Sequence, residues 1–336
     1  MTDWEKKLFT HEEGNFLQSE QWAKVAKLTG DNPIMAVIKD NSICSMLIRN
    51  AKRGRYIEIP GGPLIDWNDK TEIKLTIEKI KEIAKSHHCV FVRLRPQLEK
   101  NEKNMRILKS IGAKPAKMHL AAEHTIILDL EKSEETLLKE MRRQTRYEIR
   151  RAEKLGIKVE KSNSIEIFKE FYKVQSETAK RQNFIPPNLK TLMAERESFG
   201  DKIHIYVAKT GEHTELKGKT YDPNQPIAYG LVLSNGVEAE YFEAASTELN
   251  HDLPGAYALQ MAIIRDLKKQ GLKHYNLWGI APPNSPNHRY AKVTTFKKGF
   301  GGKVVEYVPA HDIVLNRFKY LPNYIIETIR KKRRNL

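Results

Sequence analysis

The chain has 336 residues, 40% of them apolar, which is enough for about two ordinary cores. Its formal net charge of +16 favours anionic partners such as RNA, phosphorylated metabolites or an acidic membrane surface, although many basic proteins bind none of these. Its two cysteines, Cys44 and Cys89, sit in apolar strand-like runs without CxxC or Cys–His spacing, which excludes a zinc site and fits reduced core thiols in a cytoplasmic protein. The N-terminal MTDWEKKLFTHEEGNF lacks the apolar core of a signal peptide, and no run of about 18 apolar residues suggests a membrane span. His87 and His88 are adjacent, so on a strand they face opposite sides and cannot share an ion.

Taken in order, residues 16–28 read as a short amphipathic helix, with Trp22, Val25 and Ala26 near one face and Lys24 and Lys27 beside them. Three strand-like runs follow (34–40, 42–50 and 56–62), the first two joined by a turn at Asp40-Asn41. Residues 70–86 are helical, with Ile73, Leu75, Ile77, Ile80 and Ile83 at roughly helical spacing. A strand at 89–96, a helix at 101–111 and a strand at 125–130 come next. Residues 133–155 read as one long helix, with Ser133 as N-cap, Glu134 and Glu135 in its first turn and Gly156 as its stop. Leu138, Met141, Thr145, Ile149 and Ala152 mark its inner face. Arg142, Arg146, Arg150 and Lys154 recur every four residues on the outer face, and Arg143 and Arg151 widen that stripe. Such a stripe is either a solvated face or a phosphate contact, since arginine forks pair bidentately with phosphate. A helix at 164–181, a strand at 203–208, an exposed polar segment at 210–225 and a hairpin turning at Asn235-Gly236 lead to a helix at 254–271. That helix carries Leu259, Ile263 and Leu267 inward. The last helix, about 316–331, runs into the basic RKKRR, either solvated or in contact with RNA or acidic lipid.

Residues 273–309 organise the rest. A strand at His274–Leu277 breaks at Gly279, passes through a loop with Pro282, Pro283 and Pro286, and reaches the basic FKKGFGG before a second strand, KVVEYV. Two lysines between Phe296 and Phe300, beside Gly299, Gly301 and Gly302, suit an anionic, partly planar ligand on a loop. The alternative is a glycine-rich turn with solvated lysines.

The order strand, strand, strand, helix, buried strand occurs twice, over 34–97 and over 203–281. It resembles the acyltransferase-like GNAT fold, a mixed sheet flanked by helices, in tandem. The expected class is α+β, with domains at 1–132 and 133–311 and a C-terminal helix, 312–336, packing back on the first.

The basic helix, YFEAAS, HYNLWGI and FKKGFGGKVVEYV resemble the Fem-type peptidoglycan aminoacyltransferases (FemA, FemB and FemX) over nearly the whole chain. The resemblance implies transfer of an amino acid from aminoacyl-tRNA to the side-chain amine of the peptidoglycan stem peptide. The acceptor would be UDP-MurNAc-pentapeptide or its lipid-linked form, with no cofactor, metal or DNA, and with peripheral contact at the inner membrane face. Larger members carry a long helical arm; its lack here resembles the compact FemX type. By the resemblance, Lys297 would stabilise charge at the reacting carbonyl or the tRNA terminus, Phe296 would stack near the terminal adenine, and Lys298 would meet phosphate. Arg142, Arg143, Arg146 and Arg150 would contact tRNA. Trp22, Tyr241, Tyr275 and Trp278 would wall the acceptor cleft or, equally, pack in the core. Three positions depart from the pattern. Asn276 stands where members often have an acid, Ala26 where many have a lysine (leaving Lys24 or Lys27 for phosphate), and Lys292 where glycine is common.

An aminoacyl ester is already activated, so the enzyme must mainly position an amine and stabilise an oxyanion. The chain has no G-x-S-x-G, HExxH or P-loop motif, consistent with that demand. Two rivals remain. An acyl-CoA enzyme would need a glycine-rich pyrophosphate loop, whereas ELNHDLPGAY has one glycine. A non-catalytic RNA-binding protein would use the basic face alone.

Overall fold

The computed structural model describes every residue except Arg53, His119, Leu120, Asn183, Asn287, Arg289 and 334–336, and describes only the backbone at 332 and 333. The end of the RKKRR run therefore lies outside the described residues. The chain divides into two units: residues 1–124, 281–289 and 305–336, and residues 125–280 and 290–304. The first boundary falls after His124 rather than at 132, because the strand beginning there pairs within the second unit's sheet. The chain returns to the first unit at 305 rather than 312.

The first unit opens with two helices, α1 (Asp3–Leu8) and α2 (Glu20–Thr29), of which α1 has no counterpart in the sequence reading. Strands β1 (Asn32–Lys39) and β2 (Ser42–Ala51) form a hairpin, and β3 (Gly54–Gly61) continues antiparallel. Helix α3 (Lys70–Ser86) crosses to β4 (Cys89–Pro96), parallel to β3. Asp69 caps α3 by accepting from the backbone N–H of Thr71 and Glu72 at 2.8 and 3.2 Å. Ile73, Ile77 and Ile80 are buried as the spacing predicts, whereas Leu75 is 45% exposed. All eight residues of β4 are buried. His87 and His88 are not on a strand; they form the turn that ends α3, with His88 in the left-handed region. Helix α4 (Glu102–Ser110) and the short β5 (Lys114–Pro115) follow.

The second unit contains β6 (His124–Asp129), α5 (Glu134–Glu140), α6 (Arg143–Lys154), β7 (Lys158–Ser162), α7 (Ile165–Gln182) and α8 (Leu189–Phe199). It continues with β8 (Ile203–Lys209), a small hairpin of β9 (Glu215–Leu216) and β10 (Lys219–Thr220), and then β11 (Pro226–Asn235) and β12 (Glu238–Ser246). Helix α9 (Gly255–Lys269), β13 (His274–Asn276), α10 (Ala291–Lys298) and β14 (Lys303–Glu306) complete it. The chain ends with β15 (His311–Val314) and α11 (Arg317–Arg333), and no helix among the described residues is long and apolar enough to cross a membrane.

The expected single helix over 133–155 is two. Met141 and Arg142 are extended, and the Arg142 N–H donates to Gly299 O at 2.9 Å instead of continuing the helix. The Arg146 guanidinium donates to the carbonyls of Leu138, Lys139 and Met141 at this break.

The two sheets follow one plan. The first runs β1-β2-β3-β4-β15-β5 and the second β7-β8-β11-β12-β13-β6-β14. In each, an antiparallel run leads through one crossing helix to a parallel strand: β3 to β4 through α3, and β12 to β13 through α9. The next strand is antiparallel in both, β15 on β4 and β6 on β13. These are tandem GNAT-like units of mixed sheet flanked by helices. One core gathers Met46, Ile57, Ile77 and Val92 with their neighbours, and the other gathers Tyr241, Leu259, Ile263 and Tyr275 with theirs.

Candidate active site

In the second unit the parallel ladder between β12 and β13 spans only Glu238–Glu240 and His274–Asn276, while β12 runs on to Ser246. The strands part there, leaving an open carboxyl end of the kind at which parallel sheets bind ligands. Asn276 holds the exit. Its side-chain Oδ1 accepts from Trp278 N at 2.9 Å and from the Thr125 hydroxyl, and its Nδ2 donates to Glu238 Oε1 at 3.3 Å. This bonding holds half-buried Trp278 in the left-handed region, at φ 60°, edge-on to Phe242. A large residue in that conformation is uncommon and persists where the surroundings enforce it.

Lys297 reaches this exit from α10. Its Nζ donates to Gly279 O at 2.9 Å, and the side chain is 7% exposed. Burial brings its pKa down to about 7. The expected loop at FKKGFGG is in fact the last turn of α10, so Lys297 and Lys298 are helical neighbours, the first buried and the second exposed. Three contacts seat this helix on the start of α6. The Arg142 guanidinium donates to Thr295 O, the Arg142 N–H to Gly299 O, and a Cβ at Gly299 would run into Thr145 Oγ1 and Arg142. Gly302, in the left-handed region, lies where a side chain would meet Ile127 O.

A row of carboxyls that the sequence reading did not single out lines the other face of β12. Ala239 and Tyr241 face the α9 core, so Glu238 and Glu240 face away from it. A bulge at Phe242, where Leu231 opposes Glu243 and Val232 opposes Tyr241, returns Glu243 to the glutamate face. There Gln175 Nε2 donates to Glu243 Oε2 at 2.6 Å. Burial raises the pKa of Glu238 and raises Glu240 and Glu195 well above the carboxylate range, while Glu243 is pushed up to about 7. Burial thus favours the protonated form of each, and Glu240 Oε2, Glu195 Oε2 and Gln175 Oε1 have no donor among the described residues.

In the first unit, Trp22 is half-buried on α2, edge-on to Phe16, and Lys24 and Lys27 are exposed on the same helix. The sequence reading missed Asn15 and Gln18. Gln18 is fully buried and donates to Ser45 O and Pro60 O at 3.0 and 2.7 Å; Asn15 donates to Gly61 O at 2.8 Å. These amides fix the carboxyl end of β3, and side chains at Gly61 or Gly62 would run into them. Beside it on β4, Arg95 is fully buried over the Tyr307 ring, with Nε and Nη1 lacking acceptors among the described residues; burial lowers its pKa to about 10.

The model of the FemAB family matches residues 2–214 and 209–328. The chain belongs to the FemAB family. It is 22% identical to aminoacyltransferase FemA of Staphylococcus epidermidis, with 89% of each chain covered. It is 24% identical to lipid II:glycine glycyltransferase of Staphylococcus saprophyticus, covering 96% of this chain and 92% of that protein. A crystal structure of FemX superimposes with a TM-score of 0.84 at 18% identity, covering 97% of this chain and 98% of that one.

Within this FemAB chain the expected site residues separate into three groups. Lys297 and Trp278 meet at the open end of β12 and β13, through Gly279 and its neighbours. Phe296 is half-buried nearby, edge-on to Tyr257 and Phe300 at 5.2 and 5.1 Å. Tyr241 and Tyr275 are not cleft walls: they are 6% and 0% exposed in the α9 core, and the Tyr275 hydroxyl donates to Gln260 at 2.9 Å. The arginine stripe is also revised, because Arg142 and Arg146 are spent on protein carbonyls. The exposed face of α6 carries Arg143, Tyr147, Arg150 and Lys154.

Proposed function

We propose that this FemAB chain transfers an amino acid from aminoacyl-tRNA to the side-chain amine of a peptidoglycan stem peptide during interpeptide bridge formation. The relatives' names, aminoacyltransferase FemA and lipid II:glycine glycyltransferase, support the reaction class and a peptidoglycan precursor as acceptor. The observation that carries the reading is Lys297, a buried lysine poised near neutrality where β12 and β13 part.

In the reaction, the acceptor nitrogen attacks the ester carbonyl, the carbonyl oxygen gains charge, and the C–O bond to the ribose then breaks. The ribose oxygen leaves with a proton and the amine loses one. Protonated Lys297 stabilises the developing charge in a site where burial strengthens the interaction. Phe296 offers an aromatic surface for the terminal base, in a stacking mode worth about 1–3 kcal/mol. Arg143, Arg150 and Lys154, with Lys298, form the tRNA face, and Trp278 borders the acceptor. The acyl-CoA alternative loses support at α9, because its one N-terminal glycine, Gly255, is taken up by close packing against Ile227.

The test is Lys297→Met in a transfer assay with aminoacyl-tRNA and precursor. Losing an oxyanion donor of this kind costs about 2.7–4 kcal/mol, or a hundredfold or more in turnover. A near-normal rate in that variant rules out the role.

A further inference from the structure

Helix α11 has its amphipathicity reversed. Its polar side faces the first unit: the Tyr320 hydroxyl donates to Asp312 Oδ2 at 2.7 Å, and Asn323 is buried. On the same side Glu327 accepts from Arg93 at 2.7 and 3.1 Å. Its other side is apolar and faces solvent. Phe318 is 93% exposed, Leu321 57%, Ile325 49% and Ile329 49%. Steps of three, four and four residues put these on one stripe. A surface helix normally turns such a stripe inward, and a contiguous exposed one marks an interaction face.

Charge selects the partner. From Arg317 to Arg334 the sequence has seven Lys or Arg against one acid, Glu327, and that acid turns away from the stripe to pair with Arg93, which also pairs with Asp312. Arg317, Lys319 and Arg330 are exposed around the stripe, and the Lys117 ammonium lies 4.9 Å over the Tyr324 ring beside it. A second copy of so basic a helix would be repelled, whereas a surface of acidic headgroups over acyl chains matches both parts.

We propose that α11 docks the chain on an anionic lipid surface, with Phe318, Leu321, Ile325 and Ile329 entering the acyl boundary and the basic residues meeting headgroups. The inference rests on α11 alone and not on the transfer reaction.

The test is co-sedimentation of the full chain with phosphatidylglycerol-containing vesicles and with pure phosphatidylcholine vesicles. Binding is expected to the first and to be about tenfold weaker or more to the second. Replacing the four apolar residues with serine should weaken binding by about tenfold or more. Because these side chains face solvent, the melting temperature and transfer to a detergent-dispersed acceptor should stay as in the parent. A Phe318→Trp chain should show blue-shifted emission on the anionic vesicles. Absence of binding, or binding that the serine variant retains in full, overturns the proposal. So does a dimer in sedimentation that the serine variant dissolves, which would assign the face to a second copy.

Discussion

Lys297 titrates near pH 7 because it is buried, whereas the same side chain in the unfolded chain titrates near the ordinary lysine value of 10.5. Between these values the unfolded chain holds a proton that the folded chain lacks, so stability rises with pH through this window. The cost of burying Lys297 is complete below about pH 7. Lys297→Met should therefore raise the melting temperature, and by more at pH 6 than at pH 10, as read by thermal melts at both. A gain independent of pH would contradict the buried-ammonium account. Its role as a charge donor fixes a second sign. The protonated form is the active one, so kcat/KM for aminoacyl-tRNA should carry a limb that falls as pH rises through about 7. The carboxyl row has the opposite dependence. Glu243 keeps its proton to about pH 7 in the fold but loses it near 4.5 when unfolded, so its burial cost grows with pH between those values. Glu243→Gln should stabilise the chain more at pH 8 than at pH 5.

At the scale of the element, α10 matters because it presents Lys297, and it is held by Arg142, Thr145 and Gly299. Gly299→Ala has no room for its Cβ and should cost about 1–3 kcal/mol of stability, with transfer reduced and tRNA affinity kept. Neutralising Arg143, Arg150 and Lys154 together with glutamine should do the reverse. It should weaken tRNA binding and reduce the salt slope by about 2–3, while stability changes by less than about 0.5 kcal/mol per site. Arg142→Gln should leave that slope unchanged, since its guanidinium serves Thr295. These contrasts reflect what local sequence can carry. Helix α3 was legible to its ends because its cap, its isoleucine spacing and its length are all local. The break at Met141-Arg142 was not, since neither glycine nor proline marks it and its cause is a carbonyl at Gly299. The glutamate face of β12 was hidden by the bulge at Phe242, because strict alternation places Glu243 with Tyr241.

For the molecule as a whole, the doubled order of strands and helix was readable because each unit meets the same requirement, a helix crossing between two parallel strands. The completion of the sheets was not readable. Strand β6 joins the second sheet, and β15 returns to the first from the far end of the chain; neither pairing has a local sign. The same limit explains the tyrosines: Tyr241 and Tyr275 read equally as wall or core until the packing of α9 buries them. The central claim concerns the reaction of the intact chain. We would incubate it with a mixture of aminoacyl-tRNAs and, in parallel, with UDP-MurNAc-pentapeptide and with its lipid-linked form, and weigh the acceptor by mass spectrometry. The account predicts a gain of one amino-acid residue on at least one acceptor, lost when the tRNA is deacylated first. No gain on either acceptor, or a gain that persists without the aminoacyl ester, would contradict it.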